Sequence, residues 1–544
     1  MITSSQDRIA KLTAAGSWGV ETLHSLLAQH ASNQPQRLAV KDQPNREELT
    51  GDTPQCLSWL ELHQASDNLA RQLQQEGIGE DDRIIIQLPN VSELLVLYYA
   101  ISKLGAIASP VPVQYGRHEL QHVGAELEAT ALVTIGRFKD TELARESRAA
   151  LPHLKVLSFG EDLQLDSKPG EPFACSAAAN DANRVLTICW TSGTTGTPKG
   201  VPRSHNMWLA TGICTAGAGN YAPEDRLLCP FPMVNMSAIG GFVFPAAHIG
   251  CSIVLHHPLD PPLFLQQIQD EKINFTITPP ALLNQLAKAP EMWNQFDFSA
   301  LRRVGSGSAP LSPGMIRTFG EDYGIEIVNI FGSNEGIALY SSPEEAPDPE
   351  VRATMFARPP EDVLAIKVAD PETGIETVTV GDRGELLVSG PTVIDGYYNH
   401  SNQDVFSEAG YFRTGDLVEI CGDNADFYKI VGRCKDIINR GGMKISPVEL
   451  DIALEAHPDI AESAVCAYPD ERLGEKICAY VVMQPGVELL SMEALQSYLL
   501  GLGLAKFKLP ERIEAIDALP RNALGKVQRF LLQEQIGKKI EVES

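Results

Sequence analysis

The sequence predicts an α/β protein with a large amino-terminal domain of doubly wound sheets, a small β subdomain attached to it, and a small α+β domain at the carboxyl end. Three observations carry this. The 544 residues exceed the roughly 250 to 300 at which single hydrophobic cores stop growing, so at least two domains are required. Up to about residue 360, short apolar strands alternate with helical spacing, the mark of a parallel sheet. Beyond that point the chain becomes rich in strands and turns, and its last 100 residues or so make a compact unit.

The elements follow in order. Leu60, Leu62, Ala65, Leu69 and Leu73 recur at helical spacing. A buried strand over residues 83–88 and an apolar helix over 93–104 come next. Strands are then expected at 131–135, 185–190, 252–255, 274–278 and 326–330. The apolar run 239–255 is interrupted by Pro245, His248 and glycines, and at 17 residues it is marginal for a bilayer span. It reads as core strands with turns. Strands at 363–368, 384–389, 411–415 and 426–431, separated by Gly, Asp and Asn, form the small β subdomain. From Pro447 a helix, a strand pair and a further helix complete the chain.

Composition excludes some function classes. Seventy Asp and Glu against 44 Lys and Arg leave a formal charge of −26, which repels nucleic acids and anionic membrane surfaces. Ten scattered cysteines without a CxxC pair are read as buried thiols of a reducing compartment. Residues 1–16 lack the basic-then-apolar order of a secretory signal, so the expectation is a cytoplasmic protein.

Four segments carry chemistry. Thr191-Ser192-Gly193-Thr194-Thr195-Gly196-Thr197-Pro198-Lys199-Gly200 follows an apolar strand. Its glycines turn backbone N–H groups inward, its hydroxyls add donors, and Lys199 adds charge, which together make an anion cradle. It departs from the pattern GxxxxGK[ST], because Gly200 follows Lys199. Phe331-Gly332-Ser333-Asn334-Glu335-Gly336 puts a carboxylate at a strand end, where Mg²⁺ could bridge it to phosphate oxygens. In the third segment, Asp416 could accept from two vicinal ribose hydroxyls and Arg433 could reach the same sugar. The fourth, Pro520 to Val527, sets Lys526 on the Gly525 turn. Taken singly, each also reads as an ordinary turn or a solvated charge.

In this order, and across residues from about 57 to 527, the segments resemble the adenylate-forming superfamily of acyl- and aryl-CoA synthetases, adenylation domains and luciferases. Val201-Pro-Arg-Ser-His205-Asn206, Gly474-Glu-Lys-Ile-Cys-Ala-Tyr480 and Lys506-Phe-Lys-Leu-Pro510 look most like the stand-alone aryl-acid AMP ligases, such as 2,3-dihydroxybenzoate-AMP ligase. The resemblance implies an ATP- and Mg²⁺-dependent acid–thiol ligase, with CoA or a carrier protein's phosphopantetheine as acceptor. It allows a monomer or a dimer. Two other readings stay open: a luciferase-type second step, and a non-catalytic acyl- or nucleotide-binding regulator.

Carried over by motif, the resemblance implies that Thr191, Ser192, Gly193, Thr194, Thr195, Gly196 and Lys199 hold ATP phosphates. Glu335 would bind Mg²⁺, with Asn334 beside it where Thr or Ser is usual. Phe331 and Gly332 would meet adenine, Gly307, Ser308 and Ala309 would wall it off, and Asp416 and Arg433 would hold the ribose. Lys526 would stabilise charge in the adenylation transition state. Lys435 would be the hinge between an adenylation domain, 1–434, and a mobile domain, 435–544. Gly441 and Gly442 would line the thiol tunnel. The acyl pocket is assigned to Asn235, Met236, Ser237, Gly241 and Ser333. In place of a family Pro-x-x-His-Asn-Tyr the chain has Pro232-Met-Val-Asn235-Met236-Ser237, which removes a catechol's polar partners and implies a mainly apolar acid.

Overall fold

A computed structural model describes residues 1–191, 198–441, 443–470, 472–522 and 525–543. The chain divides into two compact units, Met1–Ala365 with Val388–Phe412, and Ile366–Leu387 with Arg413–Ser544.

The first unit is built on two sheets. One runs Lys155–Phe159, Ala131–Ile135, Arg83–Gln87, Ile107–Pro110, Val185–Trp190, Gly200–Ser204. Its neighbours pair in parallel except the last two, which form an antiparallel hairpin. The second sheet has eight strands, in the order Ala338–Ser341, Glu326–Gly332, Arg303–Gly307, Phe275–Ile277, Arg226–Cys229, Ser252–Leu255, Leu38–Lys41, Cys56–Ser58. It is parallel but for its two edge pairs. Strands such as Ile84–Ile86 and Val185–Trp190 are buried along their length, as central parallel strands covered on both faces must be. The helix Trp59–Gln75 begins with a capping box between Ser58 and Glu61, and Leu62, Ala65, Leu69 and Leu73 all turn into the core.

Three expectations need correction. The run 239–255 is helical for most of its length: a π-helical segment Met236–Val243 continues into the helix Phe244–Ile249, and only Ser252–Leu255 is a strand. Periodicity cannot separate a fully buried helix from buried strands, and Ala238 to Val243 are all buried. Residues 361–364 form a helical turn, and the strand begins at Ala365. The cysteines are likewise mixed: Cys189, Cys229, Cys251, Cys466 and Cys478 are buried, Cys56 is exposed and the others are half-buried.

In the second unit, Phe412–Cys421 and Phe427–Arg433 pair antiparallel. A further sheet orders Met443–Ile445, Ile438–Arg440, Gly474–Met483 and Ile460–Asp470, with Arg512–Ala515 added parallel to Gly474–Met483. The helices Pro447–Glu455 and Met492–Gly501 close its core through Leu450, Leu454, Leu495 and Leu499. Ser446 caps the first of them.

Candidate active site

In the first unit, the chemistry-bearing residues gather at the carboxyl ends of parallel strands, where ligands of open α/β sheets bind. The hairpin Val185–Trp190 with Gly200–Ser204 carries the first motif. The Thr191 N–H donates to the Lys199 carbonyl at 3.0 Å and the Lys199 N–H donates to the Thr191 hydroxyl at 3.1 Å, so the two ends of the segment are tied together. Ser192, Gly193, Thr194, Thr195 and Gly196 lie outside the described residues. The Lys199 ammonium sits 4.8 Å from the Tyr397 ring centroid, and the Tyr397 hydroxyl donates to Glu335 Oε1 at 2.9 Å. A cation, a phenol and a carboxylate thereby form one chain. Among the described residues no group of three or more His, Cys, Asp or Glu could hold a metal ion. The Glu335 carboxylate is a single hard oxygen donor, the kind that Mg²⁺ takes together with phosphate oxygens and water.

Asn334 does structural work. Its side-chain carbonyl accepts from the Met236 N–H at 2.9 Å and its amide donates to the Trp190 carbonyl at 3.2 Å. It thus joins the phosphate-loop strand to the π-helical segment. At Gly307 an added Cβ would lie 1.9 Å from the Ile330 carbonyl oxygen, so only glycine fits. Ser308 follows with φ of 68°, and Ser308 and Ala309 are exposed.

Beneath this lies a cavity. Of the residues assigned from sequence, Met236, Ser237, Gly241, Gly307, Ser308, Phe331 and Gly332 line it. Asn235 and Ser333 do not. Asn235 caps the π-helical segment, accepting from the Ser237 N–H at 3.1 Å, and the buried Ser333 hydroxyl meets no partner among the described residues. The sequence reading missed Thr211, Thr215, Ile277, Ile330, Ala338 and Tyr340. The only signal for the threonines was their spacing of four along the helix His205–Gly219.

Arg203 was also missed as a site residue. Fully buried, its guanidinium donates to the carbonyls of Asn334 (3.1 Å), Met207 (3.0 Å) and Thr392 (2.9 Å) and to the Thr211 hydroxyl (2.7 Å). It lies 4.1 Å from the Trp208 ring centroid. All these acceptors are neutral, and burial lowers its pKa to about 9. It braces the walls of the cavity from behind.

In the second unit, Asp416 and Arg433 face each other across the antiparallel pair. The Arg433 Nε–H donates to Asp416 Oδ1 at 2.9 Å, with Asp416 buried and Arg433 exposed. That charge-assisted bond fixes the direction of the carboxylate. Lys435 is exposed on the turn that follows. Gly441 takes φ of 57° and donates to the Leu473 carbonyl at 2.7 Å; Gly442 lies outside the described residues. Lys526 is exposed on a turn fastened by its N–H to Asn522 Oδ1 at 3.0 Å and by the Asn522 N–H to its carbonyl at 2.9 Å.

Residues 27–398 match the family model of the AMP-binding enzyme, and residues 449–526 match the AMP-binding enzyme C-terminal domain. The chain is 30% identical over 540 residues to enterobactin synthase component E of Escherichia coli, covering 96% of each chain. It is 31% identical over 551 residues to a salicyl-AMP ligase / salicyl-S-ArCP synthetase of Mycobacterium tuberculosis, covering 98% of this chain and 94% of that one. Among solved structures it resembles the o-succinylbenzoate CoA synthetase of Bacillus subtilis in complex with its acyl-adenylate intermediate, with a TM-score of 0.80 and 25% identity over 93% of this chain and 97% of that one. The family model and relatives that span nearly all of the chain agree: the chain belongs to the AMP-binding enzyme family and is an ATP-dependent ligase that activates a carboxylic acid as its adenylate and passes the acyl group to a thiol.

Proposed function

We propose that the acid is a mainly apolar one, benzoate-like, alicyclic or aliphatic, held in the cavity between Met236, Ile277 and Ile330. One observation carries this reading: Asn235, the residue best placed in sequence to meet a ring hydroxyl, does not line the cavity and gives its side-chain oxygen to the Ser237 N–H, while Phe231, Met236, Ile277, Ile330 and Ile337 supply apolar walls. A catechol acid such as 2,3-dihydroxybenzoate would bury the hydroxyls on the carboxylate side of its ring among these apolar walls without partners, at about 1 to 3 kcal/mol each. Two of the relatives are named for ring-bearing acids, a salicyl group and o-succinylbenzoate, which supports a ring-sized substrate.

The roles proposed for the residues rest on the family resemblance together with the contacts described above. Thr191 and Lys199 hold the phosphates, Asp416 takes the ribose hydroxyls and Arg433 keeps that carboxylate turned. Glu335, oriented by Tyr397, would hold Mg²⁺, which when bound neutralises charge on the phosphate oxygens. Asn334 positions the wall that carries Met236. Lys526 supplies positive charge to the acid's carboxylate and the α-phosphate as the transition state forms. Residues from 435 onward then turn about Lys435, withdrawing Lys526 and presenting the loop of Gly441 and Gly442 to a pantetheine thiol, of CoA or of a carrier protein.

Pyrophosphate exchange across aryl, alicyclic and short aliphatic acids tests the substrate class. Apolar acids are expected to exceed 2,3-dihydroxybenzoate in kcat/KM. A lead of about tenfold for 2,3-dihydroxybenzoate, or about 1.4 kcal/mol, would overturn the reading.

A further inference from the structure

We infer that the inner end of the acyl cavity is a hydrogen-bond-accepting subsite, formed by Tyr340 backed by Thr215, that selects an acid bearing an O–H or N–H donor on the far side of its ring. The inference rests on the proposal that this cavity holds the acid.

Depth comes from strand register. Ile330, Gly332, Ala338 and Tyr340 all line the cavity, with Gly332 opposite Ala338 and Ile330 opposite Tyr340. Gly332 ends its strand beside the nucleotide motif. Tyr340 therefore lies two residues further in, about 7 Å at the antiparallel rise, roughly the reach of one aromatic ring with its substituents.

Polarity comes from counting protons. The Thr215 hydroxyl donates to the Thr211 carbonyl at 3.1 Å, one turn back in its helix. In the contact of 2.7 Å between the Thr215 and Tyr340 hydroxyls either oxygen can donate, and with the Thr215 proton taken by Thr211 the donor is assigned to Tyr340. Thr211 likewise donates to the Met207 carbonyl at 3.0 Å and accepts from Arg203 at 2.7 Å. Each hydroxyl in the group has one proton to give, and all three protons point into the protein. What Tyr340 offers the cavity is a lone pair. Burial holds its phenol well above the ordinary range, so it keeps that proton. A ligand phenol or aniline is satisfied here; a halogen, methyl or carbonyl group is not.

The test is pyrophosphate exchange with matched acids: 3- and 4-hydroxybenzoate, each against its fluoro and methyl counterpart. The better hydroxy isomer should exceed its counterparts in kcat/KM by about tenfold or more, and Tyr340→Phe should bring that ratio to within about threefold of unity. Thr215→Val removes the oxygen that takes the Tyr340 proton, so 4-acetylbenzoate should gain on 4-hydroxybenzoate relative to wild type. Equal use of hydroxy and fluoro acids by wild type, or an undiminished ratio in Tyr340→Phe, would overturn the subsite. If only aliphatic or alicyclic acids supported exchange, the ring subsite would fall while the apolar-acid reading stood. If 2,3-dihydroxybenzoate led the panel, the apolar-acid reading would fall and the matched pairs would still decide the role of Tyr340.

Discussion

A histidine enclosed by protein is held neutral, because desolvation penalises its charged form. Burial lowers His205 to about 3 and His24 and His257 to about 4, from 6.5. His205 Nδ1 also accepts from the Leu23 N–H at 3.2 Å, which requires the unprotonated nitrogen. Below pH 6.5 the unfolded chain takes up protons that the folded chain refuses, so stability is intact above pH 6.5 and is lost as pH falls toward the folded values. At pH 5 each such histidine costs about 2 kcal/mol. Guanidinium unfolding at pH 7 and pH 5 should show the loss, and His205→Asn, which keeps an acceptor for Leu23, should remove about 2 kcal/mol of the difference. An unchanged difference would count against this account. None of this was legible in the sequence, where His24 stands beside Leu23, Leu26 and Leu27 and His205 beside Ser204 and Asn206 with nothing to show that protein encloses either ring. By contrast the placing of Lys199 and Glu335 was legible, because each stands in a glycine-bearing segment beside a strand, whereas Asp416, expected just past a strand over 411–415, lies inside the longer strand Phe412–Cys421.

The π-helical segment Met236–Val243 shows the same limit at the scale of an element. Its apolar composition announced burial, and its helical state was decided by the Asn235 cap and by the helix His205–Gly219 packed against it. Gly241 faces the cavity, and a Cβ there would lie 2.9 Å from Ile277 Cδ1. Two effects oppose each other in Gly241→Ala. Helix propensity gains up to about 1 kcal/mol, while the flexible end of Ile277 must move aside. Because that end can yield into the cavity, thermal stability should hold or rise slightly. Room for the acid should shrink, and one methyl in an apolar pocket is worth about 1 to 3 kcal/mol. Ring-bearing acids should therefore lose about tenfold or more in kcat/KM relative to a short aliphatic acid. A parallel loss for both would place the effect on folding rather than on shape.

For the whole molecule, the proposed roles of the two lysines separate the half-reactions. Lys526→Ala should lower pyrophosphate exchange by about 10² to 10³, with thioester formation from preformed acyl-adenylate much less affected. Lys435→Pro fixes φ on the proposed hinge and should let acyl-adenylate accumulate with little thioester. Retention of both half-reactions in either variant would remove that residue from its role. Sequence alone determined the α/β class, the parallel core and the order of the nucleotide motifs, since strand burial and Gly-rich turns are written in contiguous residues. Only tertiary structure decided the acid cavity. Thr215, Ile277, Ile330 and Tyr340 come from four separate elements, and the buried Arg203 braces them from a fifth. Whether the Tyr340 hydroxyl accepts or donates depends on the Thr215 hydroxyl that it meets from another element, and spacing along the chain does not encode that meeting.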